Sequence, residues 1–123
     1  MPRIRILLVA AFAVLVLAVA SVVQASAQTT ASTLAGKVGP GFTITLTQNG
    51  KAVKTLKVGT YKINVNDRAN IHNFHLFGPG VNKKTGVNFT GKATWTIKFK
   101  KGKYTYRCDI HYMSGMIGHF KVK

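Results

Sequence analysis

The chain has 123 residues, with 18 Lys and Arg against two acids, a net charge of +16. It has no glutamate, and its only aspartates, Asp67 and Asp109, lie far apart in sequence. That disfavours paired-carboxylate catalysis, which needs two carboxyl groups a few ångströms apart. One cysteine, Cys108, excludes an intramolecular disulfide. Without a basic helix or a recognition motif, the charge argues for solubility or an anionic partner and against nucleic acid.

The first 30 residues, MPRIRILLVAAFAVLVLAVASVVQASAQTT, begin with Arg3 and Arg5 and continue into an uncharged apolar run from Ile6 to Ala20. Small residues follow and end in Ala25-Ser26-Ala27. A basic head, an apolar middle and an A-x-A site predict a secretory signal peptide over residues 1–27. The competing expectation is a retained membrane anchor, because roughly 20 apolar residues can span a bilayer. Both place the protein outside the cytoplasm, in the periplasm or the extracellular space.

Cleavage after Ala27 leaves 96 residues, with sixteen basic side chains against the two acids. That length suits one domain whose core alone is marginal. Small exported domains often add disulfides or a metal; with disulfides excluded, a metal remains. Residues 28–41, small and polar with Gly36, Gly39, Pro40 and Gly41, read as a linker or irregular lead-in. The domain proper is expected over 42–123.

From Phe42 the apolar period is two. FTITLTQ alternates Phe42, Ile44 and Leu46 with threonines, Asn49-Gly50 signals a hairpin, and KAVKTL returns from it. TYKINVND alternates Tyr61, Ile63 and Val65; IHNFHLFGPG reads as a strand ending at Gly78-Pro79-Gly80. ATWTIKFKKG alternates Trp95, Ile97 and Phe99, KYTYRC sets Tyr104, Tyr106 and Cys108 on one face, and GHFKVK closes the chain. No helical apolar period follows Gln28. The pattern predicts an all-β, antiparallel Greek-key sandwich of about seven to eight strands.

Cys108, His111 and Met116 form C-x2-H-x4-M in the loop before the last strand. Taken singly, a cysteine is ordinarily a small buried hydrophobe and a methionine a gap-filler. Together they offer a thiolate, an imidazole and a thioether to one point, and soft sulfur ligands select copper. One thiolate, two imidazoles and a weak axial thioether make the electron-transfer copper arrangement. The second imidazole must come from elsewhere, and NIHNFH supplies His72 and His75. On a strand these two face opposite sides, so only one can easily reach the site. His119 reads as surface or rim, and Met113 as part of an apolar rim.

YTYRCDIHYMSGMIGHFKV resembles the carboxy-terminal hairpin of the plastocyanin-like cupredoxins, the small blue copper proteins, and HNF resembles their upstream ligand segment. The resemblance covers roughly 58–122, with the ligand spacing of plastocyanin and pseudoazurin. It implies a cupredoxin sandwich holding one copper ion that cycles Cu(I)/Cu(II), ligated by His72, Cys108, His111 and axial Met116. His75 becomes the less favoured alternative ligand. It also implies that Asn73 supports the site, its N–H donating to the cysteine sulfur and its side chain tying the two ligand loops together. His111 would be the partly exposed ligand through which electrons leave. The chain departs from the family's pattern at Ile110, where a proline often stands, and at Arg107, where plant plastocyanins place an exposed tyrosine. A partner docked by charge should therefore be acidic.

The leading expectation is an exported, monomeric one-electron carrier without enzymatic activity, passing electrons between redox proteins. A copper carrier or buffer of the same fold is the alternative, although the Met- and His-rich tracts of such carriers are missing. A Cys108–His111 thiol enzyme lacks an orienting acid other than Asp109. A basic module binding an anionic surface stays open. Asn88-Phe89-Thr90 has the form of a glycosylation sequon.

Overall fold

The computed structural model describes residues 20–26 and 31–123. The signal-peptide reading rests mainly on Arg3, Arg5, the run from Ile6 and the cut after Ala27, which lie outside the described residues. Residues 20–26 are exposed and carry no regular structure. Among the described residues no helix is long and apolar enough to cross a membrane.

Among the described residues, ten strands form two facing five-stranded sheets. The first sheet contains β1 (Ser32–Val38), β2 (Ile44–Gln48), β3 (Lys51–Ala52), β5 (Gly59–Asp67) and β8 (Gly91–Phe99), in the order β3-β2-β1-β5-β8. The second contains β4 (Thr55–Leu56), β6 (His75–Gly78), β7 (Val81–Lys84), β9 (Gly102–Arg107) and β10 (Ile117–Val122), in the order β4-β10-β9-β6-β7. Alternation does the sorting: Tyr61, Ile63 and Val65 face inward from β5, opposite Tyr104, Tyr106 and Phe120 of the other sheet. Asn49 and Gly50 turn the first hairpin with φ of 50° and 78°, the positive values its tight turn demands.

The sequence expectation is corrected in four places. The sandwich is mixed, not antiparallel throughout, because β1 runs parallel to β5 and β4 parallel to β10. Both pairs join segments far apart in sequence, which leaves room for a crossover, and side-chain alternation carries no information about strand direction. Residues 28–41 are not merely a lead-in: β1 lies in the middle of the first sheet, between β2 and β5. Its inward positions are Leu34, Gly36 and Val38. Gly36 faces the Phe74 ring so closely that a Cβ there would stand 2.9 Å from it, so the feature that reads as a linker is a packing contact.

KAVKTL is two strands in different sheets, with Val53 buried where the chain crosses between them. The strand expected from Ile71 begins only at His75, leaving His72, Asn73 and Phe74 in a loop. With β1 and β7 added and KAVKTL divided, the count rises to ten.

Candidate metal centre

Two loops at one end of the sandwich meet. The first leaves β5 at Asp67 and reaches β6 at His75; the second joins β9 to β10. Cys108 stands one residue past β9, and its N–H donates to the Met116 carbonyl at 3.0 Å, closing the loop at its base. Between them, a 3-10 turn at Tyr112–Ser114 ends at Gly115, whose φ of 94° lets the chain reverse. The Ser114 and Met116 N–H groups both donate to the His111 carbonyl, at 2.9 and 3.3 Å. His111 is thereby fixed over the cysteine.

The donor atoms of His72, Cys108 and His111 all lie within 4.8 Å of one another. Cys108 Sγ is 3.8 Å from His72 Nδ1 and 3.7 Å from His111 Nδ1, and the two Nδ1 atoms are 2.9 Å apart. These distances can be tested against a bound ion. Metal bonds of about 2.3 Å to sulfur and 2.0–2.1 Å to nitrogen, at trigonal angles, put sulfur and nitrogen roughly 3.8 Å apart. Both sulfur–nitrogen distances match. The same geometry separates the nitrogens by about 3.5 Å, so binding must spread the imidazoles by roughly half an ångström and displace the proton they share.

Cys108, His72 and Met116 are fully buried and His111 is half-buried. The sulfur's polar neighbours are the two imidazoles; the donation expected from the Asn73 N–H is not among the described hydrogen bonds. His75 is not brought to the cluster. Its Nδ1 donates to Asp109 Oδ1 at 2.8 Å and its Nε2 pairs with Asn82 Oδ1 at 2.6 Å. It points away because β6 begins there, in register with Lys84 and Arg107. His119 is exposed and pairs with the Thr105 hydroxyl, and Met113 is 85% exposed.

A polar framework supports the ligand loops. Asn73 Nδ2 donates to Asp109 Oδ2 at 3.0 Å and, more weakly, to the Thr85 carbonyl at 3.4 Å, while the Asp109 N–H donates to Asn73 Oδ1 at 2.7 Å. The side chain thus joins the two loops. Asp109 also accepts from Arg107 Nε at 3.0 Å, and the Arg107 guanidinium lies 4.3 Å from the Tyr112 ring centroid. Burial pushes the Asp109 carboxyl up, but hydrogen bonds from His75, Asn73 and Arg107 outweigh it and hold it at about 2.

Asp67, buried at the end of β5, accepts the Thr85 hydroxyl at 2.8 Å. Burial raises its pKa against the opposing pull of the Thr85 and Ala69 hydrogen bonds. Sequence reading missed Asp67, Thr85 and the role of Asp109. It also placed Phe42 on a strand; the ring instead stands nearly perpendicular to both imidazoles, with centroids 5.2 Å from His72 and 4.8 Å from His111.

No family model matches the chain, and no curated protein matches it. Solved structures do. Reduced rusticyanin superposes with a TM-score of 0.55 at 23% identity, over 74% of this chain and 78% of that one. Rusticyanin from Thiobacillus ferrooxidans gives 0.53 at 25% identity, over 74% and 76%. A multicopper oxidase from Pediococcus acidilactici gives 0.51 at 19% identity, over 80% of this chain but 27% of that one. Two facing mixed sheets with a His-Cys-His cluster between the loops at one end, and this agreement with rusticyanin, give the chain a cupredoxin-like fold.

Proposed function

We propose that the chain is an exported type 1 copper protein that carries single electrons between redox proteins, with His72, Cys108 and His111 as the residues that would hold the ion most strongly and Met116 as a weaker fourth. The carrying observation is the convergence of one sulfur and two Nδ1 atoms at separations of 3.7 and 3.8 Å, with Cys108 and His72 fully buried and buried Met116 tied to Cys108 by a backbone bond. Bound copper supplies the one-electron change between Cu(I) and Cu(II). The chain's own part is to hold the donors in nearly one arrangement, so that little moves when the charge changes. Loop closure by the Cys108–Met116 backbone bond and the Asn73–Asp109 pair supports that role. With four ligands from the chain, no strong position is left for a substrate, which favours a carrier over an enzyme.

His111, half-buried beside exposed Phe42, Ile110 and Met113, is the proposed exit for electrons. Docking there would be apolar close to the ligand and electrostatic farther out, where an acidic partner suits a chain of this charge. Export rests on the N-terminal segment alone.

The test is to add Cu(II) to the purified protein and record its visible spectrum. An intense blue thiolate-to-copper band is expected, lost in Cys108→Ser and His72→Ala and kept in His75→Ala. Weak, ordinary Cu(II) absorption defeats the proposal. Rapid electron exchange with a small redox partner supports electron carriage; transfer of the metal itself to an acceptor protein supports the carrier alternative.

A further inference from the structure

His72 is fully buried, yet its Nε2 makes no hydrogen bond among the described residues. In metal sites the second ring nitrogen of a ligand histidine ordinarily donates to a carboxylate, carbonyl or water, and that bond sets the ring's orientation. Here the ring's direction has to come from its backbone and its packing. Its own backbone is tied down only by a long N–H bond to the Ala69 carbonyl at 3.4 Å. The firm contacts come two residues later, and they converge on Thr85.

Thr85 directly follows β7 and is buried. Its N–H donates to the Phe74 carbonyl at 3.0 Å and its hydroxyl oxygen accepts from the Phe74 N–H at 2.9 Å, so it holds both polar groups of one residue. Its carbonyl accepts from Asn73 Nδ2. Its hydroxyl proton is directed the other way, to Asp67 Oδ2 at 2.8 Å. Asp67 closes β5 and begins the very loop that carries His72; the Asp67 carboxylate therefore orients the hydroxyl so that its lone pair faces Phe74. A hydroxyl that donates to a carboxylate is a better acceptor on its other side. The chain Asp67–Thr85–Phe74 spans the two ends of the ligand loop from within.

We propose that Thr85, oriented by the buried carboxylate of Asp67, is the positioning residue of the His72 ligand loop, setting where that imidazole stands relative to Cys108 and His111. The claim rests on the copper reading above and extends it to residues that touch neither the ion nor any ligand atom. Threonine is required for its hydroxyl, which must accept and donate at once; valine has the same shape and can do neither.

The test compares wild type, Thr85→Val, Thr85→Ser and Asp67→Asn for copper affinity, reduction potential and visible spectrum, with thermal melting of the metal-free proteins alongside. Thr85→Val should weaken copper binding by about 10-fold, in the range of supporting partners of metal ligands, and should shift both the blue band and the potential. Thr85→Ser should restore all three. A folded Thr85→Val with wild-type affinity, spectrum and potential, and only a lower melting temperature, overturns the proposal. Should Thr85→Val not fold, Asp67→Asn decides: an altered band and potential support the chain of bonds, and wild-type values overturn it. A wild-type protein that takes up no copper defeats the copper reading instead. The positioning claim is then read from hydrogen exchange at the Phe74 amide in metal-free Asp67→Asn, where faster exchange supports it and unchanged exchange overturns it.

Discussion

Asn73 and Asp109 grip each other twice, with the Asn73 amide donating to the carboxylate at 3.0 Å and its carbonyl oxygen accepting the Asp109 N–H at 2.7 Å. The pair is 36 residues apart in sequence, each partner next to a proposed ligand. Together with the His72–His111 contact at 2.9 Å, it joins the loop that carries His72 to the loop that carries Cys108.

Asn73→Ala should therefore destabilise the protein as well as the site. It removes three hydrogen bonds of Asn73 and strands the Asp109 N–H, at a cost of about 1 kcal/mol for each bond and more for a buried group left unpaired. A loss of about 3 kcal/mol in the metal-free protein is expected from urea denaturation. A loss below about 1 kcal/mol means the two loops are held by packing and their remaining contacts, the His72–His111 pair among them.

Acid should act on the two aspartates with opposite sign. Asp109, though pushed up by burial, is held at about 2 by His75, Asn73 and Arg107, against an ordinary value of 3.8. A carboxyl depressed by folding stabilises the protein above its unfolded pKa and loses that contribution as pH falls through the folded one. Asp109 thus contributes about 2 kcal/mol that disappears between roughly pH 4 and pH 2. Asp67 is raised, by burial first, so the folded chain takes up its proton before the unfolded chain does. Falling pH therefore adds stability through Asp67 until the unfolded carboxyl also protonates. Denaturation midpoints across the acid range should show Asp109→Asn flattening the loss below about pH 4, and Asp67→Asn removing the gain above it.

How much of this was legible depends on sequence distance. Cys108 and His111 sit three residues apart in one loop, so their convergence follows from that loop and could be read directly. His72 was separable from His75 only by the asparagine after it. Alternation identified the strands with large side chains but not their direction, which is why the parallel pairs β1–β5 and β4–β10 went unseen. Asp67, Thr85 and Asp109 act through hydrogen bonds between distant segments, and nothing in their local sequence distinguishes them from solvent-facing polar residues. β1 was lost because its inward face includes a glycine, where small size serves the packing of Phe74.

That last point has its own consequence. Gly36→Ala places a Cβ 2.9 Å from the Phe74 ring, and Phe74 is fully buried against β1 with Trp95 and Tyr106 at its other faces. The ring has little room to yield. Overpacking of this kind costs about 1–3 kcal/mol, and because Phe74 is two residues from His72 the blue band should shift as well. Denaturation and the visible spectrum of the copper-loaded variant check both. An unchanged midpoint would mean that the sheet opens at β1 to admit the methyl group.

Phe42 makes a different kind of prediction, because it covers the site without holding it up. The ring is 58% exposed and presents its face or edge to both imidazoles at 4.8–5.2 Å, so it contributes little to the core. Phe42→Ala should change stability by less than about 1 kcal/mol, the usual range for a surface substitution. It should nevertheless open His111 to water and to competing ligands. Copper should then leave faster for a strong chelator, by several-fold in rate, with the blue band of the loaded protein nearly unchanged. If chelation proceeds at the wild-type rate, Phe42 is not the cover, and access to the ion is governed by the Tyr112–Ser114 turn that follows His111.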